Sequence, residues 1–252
     1  MGGGAIETPI LIVGAGRVGV QTALDLGWRG RDCLIIDQGD GQPVMHPRAS
    51  GLWARTMEFL RRWDVADDVR ASGFPDDFEL SVIYCTGFDG HLLEVESFPS
   101  FSKMPPIPYS PENNYRCSQL FFDPTIAKAL ERFPSVTLRY RMQLLSFEQG
   151  EDGVLSRIRN LETGEEFDVR SKYVIACDGR DSGVAKMLGN DYDSRLLAYS
   201  VNAILDMPGL FDHIDLPAGV RYLFFGSSGC WSNLTAVDGK DRWGDPLVGS
   251  QE

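Results

Sequence analysis

The chain is short of the residues that build metal centres and disulfide frameworks. Of 252 residues only three are histidine and five are cysteine. No Cys-x-x-Cys or His-x-x-x-His pair occurs among them, so no zinc site is expected. The cysteines (Cys33, Cys85, Cys117, Cys177 and Cys230) are odd in number and far apart, the pattern of buried thiols. No apolar run is long enough to cross a bilayer. Positive charge is scarce, 24 Lys and Arg against 36 Asp and Glu, for a formal charge of -12. That field repels phosphate backbones and anionic headgroups, and no basic patch overrides it, so neither nucleic acid nor membrane is expected as a partner. Met1 to Ile6 carries no basic region before an apolar stretch and no Ser or Thr at position six. We therefore expect neither a signal peptide nor myristoylation, and a cytoplasmic location. The sequon Asn233-Leu234-Thr235 is then a chance match.

Glycine is plentiful, at 27 residues, and hydrophobic residues make up 43%, enough for a core of one or two domains. The first forty residues are the most informative. Pro9-Ile10-Leu11-Ile12-Val13 reads as a parallel strand buried on both faces. It runs into Gly14-Ala15-Gly16-Arg17-Val18-Gly19, then an apolar stripe at helical spacing (Val20, Ala23, Leu24), then a second buried strand, Cys33-Leu34-Ile35-Ile36, ending in Asp37 and Gln38. This is a βαβ unit with a dinucleotide fingerprint. Gly14 permits a tight turn, Gly16 leaves room for a pyrophosphate, and Gly19 lets helix and strand pack closely. Helix amides face the phosphates, and Asp37 is placed to accept from an adenosine ribose. The unit alone does not separate FAD from NAD.

Further along, residues 50–69 read as one helix capped by Ser50, with Leu52, Thr56, Phe59 and Trp63 on one face. Residues 78–96 alternate as an antiparallel hairpin turning at Gly87 to Gly90. The proline-rich stretch 98–114 is an irregular connection. A helix spans roughly Gln119 to Phe133, started or kinked at Asp123-Pro124. Residues 136–169 read as a strand meander, Tyr173 to Cys177 as another buried strand ending at Asp178-Gly179, and a short helix follows to Leu188. Ala198 to Leu205, Tyr222 to Phe225 and Trp231 to Val237 read as antiparallel strands, and Gly244-Asp245-Pro246 as a turn.

Three later segments carry a resemblance. His46-Pro47-Arg48-Ala49-Ser50-Gly51, Tyr115-Arg116-Cys117-Ser118-Gln119, and Tyr173-Val174-Ile175-Ala176-Cys177-Asp178-Gly179 follow the glycine unit in the order and spacing of single-component FAD-dependent aromatic hydroxylases. The chain resembles that family, typified by para-hydroxybenzoate and phenol hydroxylases. The resemblance implies an α/β architecture with two domains. A Rossmann-like FAD-binding domain with a parallel sheet would span 1–77 and 115–189. An antiparallel-sheet substrate domain, incomplete at its C-terminus, would span 78–114 and 190–252. The cofactor contacts implied are Gly14, Ala15, Gly16, Arg17, Val18, Gly19, Asp37, Gln38, Arg48, Gln119, Asp178 and Gly179.

The implied reaction is hydroxylation of a phenolic or other electron-rich ring, with NADPH or NADH reducing the flavin and O2 adding to give a C4a-hydroperoxide. The resemblance names no catalytic base, and His46 and His91 are candidates by type alone. Past Ser182 the chain has Ala185-Lys186 where the family has a further arginine. A downstream Gly-Asp flavin motif is not found before Glu252, so we expect the N-terminal part of a longer protein or a shortened relative, with a homodimer possible. Two alternatives stay open: a dinucleotide-binding module without turnover, and an NAD-dependent dehydrogenase.

Overall fold

The computed structural model describes residues 5–42, 49–190, 193, 195 and 199–249. Along the chain run β1 (Ile6–Val13), α1 (Arg17–Trp28), β2 (Cys33–Ile36), β3 (Gly51–Leu52), α2 (Ala54–Arg62), α3 (Ala66–Ala71), β4 (Val82–Cys85), β5 (Leu92–Glu96) and β6 (Tyr115–Arg116). Next come α4 (Gln119–Ala129), β7 (Val136–Arg139), β8 (Met142–Gly150), β9 (Gly153–Asn160), β10 (Glu166–Ala176) and α5 (Gly183–Met187). The last strands are β11 (Tyr199–Asp206), β12 (Arg221–Gly226), β13 (Gly229–Ala236) and β14 (Arg242–Gly249). Two compact units result, Met1–Pro43 with Asp123–Ser194, and Val44–Phe122 with Arg195–Glu252.

The first unit is built on a six-stranded sheet of order β7-β2-β1-β10-β9-β8. β1 is parallel to β2 and to β10, and β2 to β7. Leu11, Ile12, Leu34 and Ile35 are all buried, so the continuous apolar runs do mark strands covered on both faces. The meander expected over 136–169 takes another form. β7 joins the parallel edge beside β2, and β8 and β9 form a hairpin closed at Gly150 and Gly153. The final segment merges with Tyr173 to Ala176 into one strand, β10, antiparallel to β9 on one side and parallel to β1 on the other. Nor is that strand's end buried, since Tyr173 is 57% exposed.

The second unit holds a six-stranded sheet of order β11-β14-β13-β12-β4-β5 and a two-stranded ribbon of β3 and β6. The sheet is antiparallel except that β12 lies parallel to β4. These two strands are far apart in sequence, so no hairpin dictates their direction. Ile83, Tyr222, Phe224, Leu234 and Trp243 form its core. The alternation of β12 and β13 turns Tyr222 and Phe224 inward and leaves Trp231 exposed. Gly244-Asp245-Pro246 belongs to β14 and is not a turn. Its partner there is β11, with Pro246 opposite Asn202, while pairing with β13 ends at Gly244. Proline is tolerated because no second ladder needs its missing N–H.

The helix expected over 50–69 is instead β3, α2 and α3. Asp64 adopts a positive φ of 58° and separates the two helices. Ser50 does not cap; its carbonyl accepts from Cys117 N, and the start of α2 is met by Asn114 Oδ1, which accepts from Ala54 N at 2.8 Å. The buried face of α2 is Ala54, Met57 and Leu60, continued by Trp63. Helix α4 begins at Gln119 with Pro124 inside it, so Asp123-Pro124 is not its start. Cys33, Cys85 and Cys117 are buried, whereas Cys177 is intermediate and Cys230 exposed; each of the five is outside any disulfide.

Glu112 is a buried carboxylate that joins α2 and α3 to the proline-rich connection. Arg61 reaches its Oε1 at 3.3 Å and Arg70 its Oε2. Both guanidiniums are partly solvated, which reduces the penalty of separating the charges below that of a fully buried pair. Glu112→Gln should lower unfolding free energy by about 1–3 kcal/mol, read as a lower urea midpoint with unchanged slope.

Candidate functional site

In the first unit the carboxyl ends of β1, β2 and β10 converge where the sheet order reverses around β1, the place where open α/β sheets bind ligands. Gly14 ends β1 with its N–H donated to Ile36 O at 2.8 Å, and Cys177 N donates to Val13 O at 2.7 Å. The turn is thus tied to both neighbouring strands. Its three glycines have three different reasons. Gly14 has φ +102°, and a Cβ there would lie 2.4 Å from Cys177 O. A Cβ on Gly19 would lie 1.8 Å from Gly14 O, so the first turn of α1 rests against the strand end with no room for a side chain. A Cβ on Gly16 would meet nothing within 4 Å, at an ordinary extended backbone. The fold itself does not require glycine at 16.

That open space lies at the N-terminus of α1. Gly16 is the N-cap, supplies no side-chain cap, and no acid occupies the first turn. The first residue of the helix is Arg17, a cation at the positive end of the macrodipole, where cations are disfavoured. Its guanidinium stands 3.8 Å from Asp123 Oδ1. Uncapped amides, an arginine and an empty side-chain position together form a setting for an anion. Asp37, at the end of β2, braces the loop: Oδ2 accepts from Ala15 N and Oδ1 from Gly39 N, each at 2.7 Å. A carboxylate has about four acceptor sites, so lone pairs remain for hydroxyl donors.

Asp178 follows β10. Gly179 turns the chain at φ +84°, and Asp178 then accepts from Ser182 Oγ at 2.6 Å and from Val184 N at 3.0 Å. Burial works to raise its pKa, but the hydrogen bonds from Ser182 and the amides at the start of α5 outweigh it and hold the carboxyl below the usual value of 3.8. Ser182 caps α5 by accepting from Ala185 N at 3.0 Å.

A family model described as an FAD binding domain matches residues 7–228. The chain belongs to that family. It is 32% identical over 193 residues to aklavinone 12-hydroxylase DnrF of Streptomyces peucetius, covering 73% of this chain and 38% of that protein. It is 30% identical over 189 residues to phenol 2-monooxygenase of Pseudomonas sp. (strain EST1001), covering 73% of this chain and 30% of that protein. Among solved structures it resembles the substrate-free rebeccamycin biosynthetic enzyme REBC, with TM-score 0.89 and 32% identity over 99% of this chain and 49% of that one. It also resembles aklavinone-11 hydroxylase in complex with FAD and aklavinone, with TM-score 0.81 and 27% identity over 98% and 47%. The chain spans less than half the length of these relatives.

As an FAD binding domain, the chain brings together nine of the residues singled out from sequence: Gly14, Ala15, Gly16, Arg17, Val18, Gly19, Asp37, Asp178 and Gly179 all lie at the carboxyl ends of β1, β2 and β10. Gln38 follows Asp37 and is exposed. Gln119 lies in the second unit, buried at the start of α4, and its N–H donates to Ala49 O at 3.1 Å. Arg48 and His46 lie outside the described residues. His91 is exposed beside the Gly87 to Gly90 turn. Two residues missed from sequence are the supports: Asn114, which meets the start of α2, and Ser182, whose position four residues after Asp178 was its only signal. No group of three metal-ligating side chains occurs among the described residues, and no helix there is long and apolar enough to cross a membrane.

Gly14→Ala or Gly19→Ala should destabilise the fold by about 3 kcal/mol or more, while Gly16→Ala should stay within about 0.5 kcal/mol of wild type; urea unfolding of the three variants checks this ordering. For Asp178 the folded pKa is depressed, so its contribution is present above the unfolded value near 3.8 and fades as pH falls through the lower folded value. Asp178→Asn should therefore cost about 1 kcal/mol at pH 7, a gap that closes below about pH 3.8 in a pH series of melts.

Proposed function

We propose that the protein is an FAD-dependent hydroxylase of phenolic or other electron-rich aromatic rings, using O2 and a nicotinamide donor, NADPH or NADH. The observation that carries the cofactor half of this reading is Gly16: a position with no need of glycine for folding, beside uncapped helix amides, is left bare. A pyrophosphate in that space would accept from those amides and stand near Arg17, bringing negative charge to a helix terminus whose first turn carries no acid. Asp37 would accept from the adenosine ribose with its remaining lone pairs, and its charge would disfavour a 2′-phosphate. Asp178, held ionised and aimed by Ser182, would serve the ribityl and pyrophosphate region, with Gly179 keeping the strand end clear of a side chain.

In this reading Arg48 and Gln119 also contact the flavin. The Gln119 N–H bond to Ala49 pins the residue after Arg48 to the residue that begins α4. The ligand-based division into a cofactor domain of 1–77 with 115–189 and a substrate domain of 78–114 with 190–252 belongs to the same proposal. It differs from the packing-based units because β3, α2, α3 and β6 pack with the second sheet.

Bound FAD would supply the redox chemistry with O2, and the protein's own task is to hold it, orient the ring and exclude water. The relatives named as an aklavinone hydroxylase and a phenol monooxygenase support an aromatic substrate. The decisive experiment is the visible spectrum of the purified chain after saturation with FAD and removal of the excess. Stoichiometric flavin is expected in wild type. Gly16→Val should fold and remain colourless, and Asp37→Ala should weaken retention at least tenfold, about 1.4 kcal/mol. A fully flavinated Gly16→Val protein would remove the pyrophosphate from that space. Phenol-dependent consumption of NADPH or NADH then tests the activity.

A further inference from the structure

Several cations of the second unit meet carboxylates. Arg61 and Arg70 share Glu112, Arg55 meets Glu58 at 2.6 Å, and Arg242 meets Asp206 at 3.2 Å. Arg116 has no carboxylate partner among the described residues, in a chain with 36 acidic residues. It stands on β6, partly buried, with its guanidinium carbon 5.4 Å from the centroid of the Phe74 ring. One nitrogen, Nη2, donates to the Ala236 carbonyl at 2.7 Å. Its Nε is buried with no hydrogen-bond partner, and no carboxylate pairs with it among the described residues.

The charge that does act on Arg116 has the wrong sign. Burial first, and then Arg221, push the guanidinium down to about 10. Arg221 stands exposed on β12, its Nε donating to Asn233 Oδ1 at 2.7 Å. An unpaired cation taken out of water is among the costliest features a fold can keep. One carbonyl and one aromatic face compensate it only in part, and a second arginine makes the deficit larger.

We propose that Arg116, with Arg221 as a second cation, forms an anion subsite of the second unit that takes the carboxylate of a small organic acid. The desolvated charge in need of compensation is a single unit, which a monoanion matches and a phosphate dianion exceeds. A guanidinium edge presents parallel N–H donors in the plane of a carboxylate, and Nη1 of Arg116 makes no hydrogen bond among the described residues. The inference lies wholly within the second unit, and its test contains no flavin, so it stands or falls separately from the cofactor reading.

The test uses the 252-residue chain without added flavin and sodium benzoate as the probe, with benzamide as the neutral isostere and sodium chloride at matched ionic strength. Benzoate should raise the melting temperature of wild type saturably and shift the arginine Nε–H resonance that disappears in Arg116→Met. Benzamide and chloride should do neither. Arg116→Met, which keeps an apolar stem against Phe74, should weaken benzoate about thirtyfold or more, the effect of removing one side of a desolvated charge pair. Arg221→Gln should weaken it less but measurably, and carries the test if Arg116→Met does not fold. Absence of a saturable benzoate effect in wild type overturns the proposal. So does equal stabilisation by benzamide or by chloride, or full retention of benzoate binding in the variants.

Discussion

The contact on which the first unit turns is that between the Gly14 carbonyl and the backbone of Gly19. At 1.8 Å from that carbonyl, no Cβ can exist, and α1 therefore seats its first turn directly on the end of β1. Everything around the site inherits this approach. The same strand end is held from both sides by Ile36 and Cys177, which fixes where the first turn of α1 begins. A helix displaced by even one methyl group would present its amides elsewhere.

Electrostatics adds a second constraint, visible against the chain's formal charge of -12. Acids outnumber bases, yet at two places a cation has few of them nearby. One is the first turn of α1, where Arg17 stands without an acidic neighbour on its own turn. The other is Arg116, whose surroundings offer a carbonyl and an aromatic ring. In a protein so rich in carboxylates, a desolvated guanidinium left without one suits a ligand that brings its own charge. Asp178 is the complement: a carboxylate whose partners are hydroxyl and amide donors rather than a cation.

What the sequence conveyed depended on how local the physics was. The glycine unit, β1, α1, β2 and Asp37 were readable because each rests on neighbours a few residues away. The different parts of the glycines were readable too, with room expected at Gly16 and close packing at Gly19, as the structure has them. β10 was misread as two pieces because Glu166 to Ser171 pair with β9 while Val169 to Ala176 pair with β1, partners that no window of the sequence contains. The role of Glu112 in the proline-rich connection could not be read locally, since Arg61 and Arg70 come from a distant part of the chain. The break at Asp64 and the strand role of Pro246 were hidden for the same reason, each being decided by a tertiary neighbour. Arg116 was quoted only as part of a motif, because isolation from carboxylates is a property of space and not of spacing.

Asp37 has a consequence in the currency of order. Its two oxygens already hold the amides of Ala15 and Gly39, so the glycine loop has its shape before any ligand arrives. A ligand entering there loses its own freedom but imposes little further loss on the backbone, and that saved entropy appears as affinity. Departure is likewise governed by the contacts that must break, with no loop to refold. In the proposed site, the carboxylate that would meet the ligand is also the clamp that keeps the loop rigid.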